Sequence, residues 1–207
     1  MSRLMVMTGS RRLAMALTTM AMPVALAAGC ASAASVHPAA AVKTATAATA
    51  SFSAMGLAFR YPVSWRSGSW PTDQSNFSAL IVYLSTSRLK GPCAVSISPG
   101  RIAETCKYPI AVLQPGGVLV RWSANGFPTW HMPKANMTVA GRKAVETRTS
   151  GGWCATLRGT ETITVMIARA APGNWYQMDA CLRSPGLAQQ ETEISSMLKS
   201  VRIAKGD

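Results

Sequence analysis

The side chains that could carry chemistry are few in this chain. Its 207 residues include five cysteines, two histidines and eight acidic residues. Cysteine thiols can form disulfides, bind metals or act as nucleophiles, and carboxylates and histidines can transfer protons. The spacing and surroundings of these residues decide which of those chemistries the chain can support.

The N-terminal segment predicts export. Residues 1–12 carry three arginines and no acid, and residues 13–29 carry no charge. A positive region followed by an apolar region of this length is typical of a signal peptide and is short for a membrane span. The segment ends in Leu26-Ala27-Ala28-Gly29-Cys30, which resembles the bacterial lipobox. The resemblance implies that a diacylglycerol is attached to the Cys30 thiol and that the chain is cut just before Cys30.

The lipobox match has one departure, because Leu26 lies one place earlier than the usual leucine. Ordinary secretion, with cleavage after Ala28 or near Ala34, is an alternative, and so is an uncleaved anchor. Residues 10–13 weakly resemble a twin-arginine export signal, so the export route stays open. The predicted location is the extracytoplasmic face of the cell membrane, with the membrane as a partner through the lipid anchor at Cys30.

The next segment predicts a tether. Residues 31–50 are almost entirely Ala, Thr, Ser and Val, without a sustained apolar period, which favours a flexible linker. His37 lies within it and is interpreted as a spacer residue. The predicted organisation is a signal peptide at 1–29, lipidated Cys30 and a linker at 30–50, and one globular domain at 51–207.

The remaining cysteines predict disulfides. They form an even set in an exported chain: Cys93, Cys106, Cys154 and Cys181. No Cys-x-x-Cys pair occurs and His131 is the only histidine in the domain, which disfavours a metal site. Four cysteines allow three pairings. We favour Cys93–Cys106, a local loop, and Cys154–Cys181, which would join two late strands.

The composition is that of a basic globular protein. Apolar residues make up 48% of the chain, and Lys plus Arg number 21 against 8 acidic residues, a formal charge of +13. Removal of Arg3, Arg11 and Arg12 with the signal peptide leaves +10. Such a surface attracts anionic lipid headgroups or acidic wall polymers. No Lys/Arg run or nucleic-acid module is present, so no nucleic-acid partner is expected.

No catalytic motif is present. The chain lacks a Gly-x-Ser-x-Gly elbow, a Walker loop and a His-Glu-x-x-His sequence. Glu161 and Asp179 fall on neighbouring predicted strands and could approach each other as a glycosidase pair must. Ion pairs with arginines are the favoured interpretation: Arg158, Arg169 or Arg183. His131 is interpreted as a surface or packing residue. No catalytic residue, metal site or cofactor is predicted.

Six tryptophans could line a groove for sugar or lipid, although packing explains them equally well: Trp65, Trp70, Trp122, Trp130, Trp153 and Trp175. Strands are predicted around 57–65, 77–85 and 117–124. An antiparallel meander is predicted from 139–149, 160–169 and 174–183. Ser184-Pro185 predicts the start of a helix, followed by a short strand at 201–204. These elements predict an α+β fold with one antiparallel sheet, helices packed on it and two disulfides.

Two motifs carry a resemblance to a known fold. Phe59-Arg60-Tyr61-Pro62-Val63-Ser64-Trp65 near the start and Glu193–Ile203 at the end resemble the PsbP-like fold, as found in small lipoproteins of high-GC Gram-positive bacteria. The motifs are structural and imply no chemistry. The function predicted is a non-enzymatic binding or accessory module of the cell envelope, with an envelope protein or an anionic envelope component as its partner. The alternatives are a wall hydrolase and a carrier of small apolar ligands.

Overall fold

The computed structural model describes residues 48–69, 74–75, 77–90, 95–98, 101–104 and 108–207. All of them belong to the compact unit Ala45–Asp207. The predicted signal peptide, Cys30 and the linker up to residue 47 lie outside the described residues, and so do Cys93 and Cys106.

The described residues form thirteen strands, one 3-10 helix at Gly152–Leu157 and one α-helix, α1, at Leu187–Lys199. The strands are β1 (Thr49–Ala54), β2 (Leu57–Pro62), β3 (Arg66–Gly68), β4 (Gln74–Ser75), β5 (Ser78–Ser85), β6 (Val95–Ser98), β7 (Arg101–Glu104), β8 (Val118–Gly126), β9 (Met137–Val139), β10 (Arg142–Ser150), β11 (Glu161–Ala168), β12 (Asn174–Leu182) and β13 (Arg202–Ile203).

These strands form three antiparallel sheets. The large sheet has the order β3-β5-β8-β12-β11-β10-β9, and β4 also pairs with β5. The small sheet has the order β1-β2-β13, and β6 and β7 form a separate hairpin. The predicted meander is confirmed, because β10, β11 and β12 are consecutive neighbours in the large sheet.

The first face of the large sheet packs against the small sheet and α1. Alternate residues of each strand point to this face, as the two-residue period of a strand requires. Trp122 on β8 is fully buried here and stacks on Phe59 of β2, with ring centroids 5.2 Å apart. Phe52 of β1 stacks on Phe59 at the same spacing. This aromatic row links the edge of the small sheet to the centre of the large one.

The second face of the large sheet carries the predicted Cys154–Cys181 disulfide, whose Cα atoms lie 5.4 Å apart. The bridge joins the 3-10 helix to β12 and packs in a separate apolar cluster with Leu113, Leu119 and Leu157. It anchors an irregular segment to the sheet. A disulfide between residues 27 positions apart also stabilises the fold, because it restricts the unfolded chain.

The predicted fold class is wrong. The chain is mostly β-structure, with one α-helix among the described residues, whereas an α+β fold with a single sheet and helices was expected. Much of the first face is covered by the small sheet, in a place where the α+β prediction required helices. Part of that sheet was missed because β1 has the Ala, Ser and Thr composition of a linker. The PsbP-like resemblance implied that α+β architecture, which the described residues do not have. They hold the predicted Cys154–Cys181 disulfide, whereas Cys93 and Cys106 of the other predicted pair lie outside them.

The C-terminal helix is present but begins later than predicted. Ser184 was expected to cap it, yet α1 starts at Leu187 after Gly186, whose φ of 90° only glycine adopts readily. Its inner face is apolar, and Ile194, Met197 and Leu198 are buried there.

Candidate functional site

An open cleft of about 590 Å³ lies where β5 ends and β8 begins. We call it the basic cleft, because two cations and no described carboxylate line it. Its described lining residues are Thr86, Ser87, Arg88, Lys90, Ile110, Ala111, Val112, Gln114, Pro115, Gly116 and Gly117. Arg88 and Lys90 are both exposed, whereas Ile110 belongs to the apolar cluster beneath the cleft.

One wall of the basic cleft is a tight turn at 114–117. Gly117 donates its N–H to the Gln114 carbonyl at 2.8 Å. Pro115 occupies the second position of the turn, and Gly116, with φ of 71°, occupies the third. This is the residue pattern of a type II turn, which needs a positive φ at its third position. The wall is therefore determined by the local sequence.

The other wall is held against the start of β8 by hydrogen bonds. The Val118 N–H is donated to the Thr86 Oγ1 at 2.9 Å, and the buried Ser85 hydroxyl donates to the Val118 carbonyl at 2.9 Å. The Lys90 N–H is donated to the Pro109 carbonyl at 2.7 Å. The backbone that carries Arg88 and Lys90 is thus fixed to the sheet, while their charged ends stay in solvent.

Elsewhere, the scarce carboxylates are held by arginines. Arg148 lies 2.7 Å from Glu146, 2.7 Å from Glu191 and 3.4 Å from Glu161. The hydrogen bonds to Glu146 and Glu191 raise the pKa of the Arg148 guanidinium. One arginine on β10 therefore ties β11 and α1 together.

A second ion pair lies on the second face of the large sheet. Arg121 donates to Asp179 at 2.7 Å, and Thr164 and Gln177 also donate to this carboxylate. The Asp179 side chain is 4% exposed and that of Arg121 is 37% exposed. Burial lowers the pKa of Arg121, but attraction and hydrogen bonding to Asp179 outweigh it, and the pKa is raised. With several donors around it, Asp179 is poorly placed to act as a general base.

The structure separates the two carboxylates considered as a catalytic pair. Glu161 lies on the same face of β11 as buried Ile163, toward the small sheet and α1. Asp179 stands opposite Thr164, on the other face of the sheet. The sheet itself thus lies between them, and no reacting bond could contact both.

The remaining carboxylates follow the same pattern. Asp207 forms an ion pair with Arg169 and also accepts from Arg142 through its main-chain oxygen. Glu193 accepts a hydrogen bond from Gln189. Within residues 108–207, five of the six carboxylate side chains are therefore paired with arginine: Glu146, Glu161, Asp179, Glu191 and Asp207. The arginines predicted as partners of Glu161 and Asp179 are not the ones found.

Ten exposed cations, in contrast, pair with no described carboxylate. They are Arg60, Arg66, Arg88, Lys90, Lys134, Lys143, Arg158, Lys199, Arg202 and Lys205. Arg88 and Lys90 share a cleft that no described carboxylate lines, whereas Lys199 and Arg202 lie together in a groove that Glu146 and Glu191 also line. Arg88 and Lys90 were not singled out in the sequence analysis. Their positions on either side of Leu89 and the turn signal in Gln-Pro-Gly-Gly are nevertheless visible in the sequence.

The tryptophans do not form a common groove. Trp65 and Trp122 are core residues, and Trp70 lies outside the described residues. Trp130 and Trp175 stack on each other with centroids 4.0 Å apart, and Trp153 packs on Tyr108. His131 is exposed in the segment between β8 and β9, as predicted.

A second groove, of about 420 Å³, lies between α1 and the β9–β10 edge of the large sheet. Its floor includes buried Ile163, Ile194 and Leu198, and Glu146 and Arg148 are among the charged residues that line it. Its carboxylates already belong to the Arg148 ion-pair group. No group of three His, Cys, Asp or Glu residues suited to a metal ion occurs within the described residues.

Comparison of the chain with protein-family models gave no match, and comparisons with curated proteins and with solved structures gave none either. Within the described residues, no helix has both the length and the apolar character that crossing a membrane requires.

The contrast between the two separated carboxylates is testable. We expect Asp179→Asn to lower the free energy of unfolding by about 3 kcal/mol, because it leaves a partly buried guanidinium unpaired. Glu161→Gln weakens a longer, more exposed pair and should cost under about 1 kcal/mol. Urea denaturation of both variants measures the difference. Equal losses would contradict the assigned roles.

Proposed function

We propose that this protein is an exported, lipid-anchored and non-enzymatic binding module of the cell envelope, and that its basic cleft binds an anionic envelope component. The observation that carries the proposal is the division of charges. Arginines pair with five of the six carboxylate side chains in residues 108–207, while ten exposed cations form no ion pair with any of the six. A surface of this kind attracts polyanions over distances of about 8 Å at physiological salt.

The shape of the basic cleft supports an anionic ligand in particular. Arg88 and Lys90 lie on a segment that is hydrogen-bonded to β8 at Thr86 and to Pro109 at Lys90, so two positive charges are presented together on one rim. The opposite wall, at 114–117, consists of Gln114, Pro115 and two glycines and carries no charge. A ligand whose acidic groups are spaced along a flexible chain, such as a phosphate-bearing wall polymer, fits an open and one-sided site of this kind.

The non-enzymatic part of the proposal rests on the carboxylates. Acid–base catalysis needs a carboxyl group that can give or take a proton near neutral pH. Most of the described carboxylates instead form ion pairs with arginine, so their oxygens are already occupied by a protein partner. Glu161 and Asp179, the pair considered for hydrolysis, lie on opposite faces of the large sheet.

The alternative of a carrier for small apolar ligands has less support. Such a ligand is held best in an enclosed apolar cavity, whereas the groove beside α1 is open and lined in part by charged residues.

The anchor is tested by Cys30→Ser. The diacylglycerol would be attached to the Cys30 sulfur as a thioether, which serine cannot form, so we expect the variant to keep its signal peptide and to lose lipid labelling. Metabolic labelling with a fatty acid and intact-mass measurement check both outcomes. A variant that is processed and labelled like the parent protein would remove the anchor from the proposal.

The binding role is tested by reversing the cleft charges. We expect Arg88→Glu with Lys90→Glu to weaken binding to soluble polyglycerol phosphate at least about tenfold, since each cation near an anionic surface contributes about 1 kcal/mol. The matched control is Lys143→Glu with Lys205→Glu, which changes the net charge equally at exposed positions that do not line the cleft.

Both double variants are measured as full-length protein in a neutral detergent by isothermal titration calorimetry. If the two lose affinity equally, net charge alone accounts for binding and the cleft has no special role. If neither the parent protein nor the variants bind the polymer, the proposed ligand class is wrong.

A further inference from the structure

The outer edge of β1 is open among the described residues. β1 pairs with β2 over six residues, and no other described strand lies beside it. The Val63 N–H is donated to the Ala48 carbonyl, so Ala48 points its backbone groups toward β2. Every second residue after Ala48 does the same, which means that Ala50, Phe52 and Ala54 direct their N–H and C=O groups toward β2. In an antiparallel pair alternate residues point the other way. Thr49, Ser51 and Ser53 therefore direct their N–H and C=O groups outward.

This edge lacks the protection that natural sheet edges usually have. Edge strands are commonly shortened, bulged or supplied with charges or proline, because their unpaired backbone groups recruit other strands. β1 is six residues long, pairs with β2 without a register shift and contains only Thr, Ala, Ser and Phe. In a chain of formal charge +13, six consecutive uncharged residues on an open edge leave no local repulsion against an identical strand.

We infer that β1 pairs in antiparallel orientation with β1 of a second copy of this chain. The two-fold axis that relates the copies passes midway between the two Ser51 residues. The outward-pointing residues are spaced symmetrically about that position. Ser51 then faces Ser51 of the second copy, and Thr49 faces Ser53 in both directions. Each of these is a hydrogen-bonded pair in which two N–H···O bonds form, which gives about six new bonds. The two small sheets become one continuous six-stranded sheet.

The side chains on the core face support the same register. Phe52 stacks on Phe59 but is only partly buried, because it lies at the edge of the apolar core. In the two-fold arrangement Phe52 lies opposite Ala50 of the second copy, in a pair whose Cα atoms approach to about 4.5 Å. The small alanine side chain leaves room for the ring, and the apolar rim of each copy is covered by the other.

Charge does not oppose this assembly. The nearest exposed cation on the small sheet is Arg60, which is the register partner of Ser51 on β2. Across the two-fold, the two Arg60 strands are three strand spacings apart, about 14 Å. That separation exceeds the Debye length of about 8 Å at physiological salt.

The two-fold axis of this dimer is perpendicular to the small sheet. A two-fold rotation keeps each residue at its height along the axis, so Ala48 of one copy and Ala48 of the other lie at the same height. This arrangement suits two chains that are anchored in one membrane.

Sedimentation velocity of the full-length protein in a mild neutral detergent tests the inference. We expect a concentration-dependent dimer for the parent chain. Ser51→Lys places two ammonium groups directly opposite each other only in the dimer, so it should raise the dimer dissociation constant at least about tenfold. The new lysine also faces Arg60 within each copy, so urea denaturation checks that the monomer stays folded. The matched control is Thr147→Lys on β10, an exposed strand residue that adds the same charge; it should leave the constant unchanged.

Crosslinking tests the register. Paired Cα atoms about 5.5 Å apart are within disulfide reach, so oxidised Ser51→Cys should give a peptide linked 51 to 51. Ser53→Cys alone should not link to itself, because it faces Thr49. A monomer at all concentrations, equal effects of the two lysine variants, 53–53 linkage or crosslinks of residue 51 only to other proteins would each overturn the inference.

Discussion

The alternation of side chains along β8 and β12 is the constraint on which the rest of the structure depends. These neighbouring strands present Trp122 and Met178 to one face of the large sheet and Arg121 and Asp179 to the other. The first set forms the core with the small sheet and α1. The second set holds a buried ion pair, and Cys181 on the same face holds the disulfide. Because both faces are occupied, the start of β8 is a rigid base for the basic cleft.

Charge is distributed unevenly over this framework. Arg148 and Arg121 gather most of the described carboxylates into ion pairs that join strands to each other and to α1. Ten other exposed lysines and arginines form no ion pair with a described carboxylate. An excess of unpaired cations adds little to stability, since exposed charges contribute little and repel one another. It does favour association with a polyanion, and the basic cleft is where two such cations share a rim.

The elements that could be predicted from the sequence are those with strong local patterns. The β11 and β12 strands were predictable because β-branched and aromatic residues alternate along them, and Cys154 and Cys181 fell where neighbouring elements could join. The strand β1 was not, because four of its six residues are Ala or Ser, which have little preference for sheet. Its pairing with β2 is supported by the stacking of Phe52 on Phe59, whose ring in turn stacks on Trp122 of the distant strand β8. Helix α1 starts after Gly186 rather than at Ser184, since a capping residue in the sequence competes with turn geometry that only tertiary contacts decide. The cleft escaped notice because Arg88 and Lys90 meet the 114–117 turn only in the folded chain.

The salt dependence of polymer binding tests the central claim most directly. The affinity of the full-length protein for polyglycerol phosphate would be measured in neutral detergent from low to high sodium chloride concentration, with a neutral polymer of the same length beside it. Binding through unpaired cations predicts an affinity that falls steadily, by about tenfold or more as the Debye length shrinks from about 10 Å toward 3 Å, and no binding of the neutral polymer. An affinity that does not change with salt, or equal binding of the neutral polymer, would contradict the account.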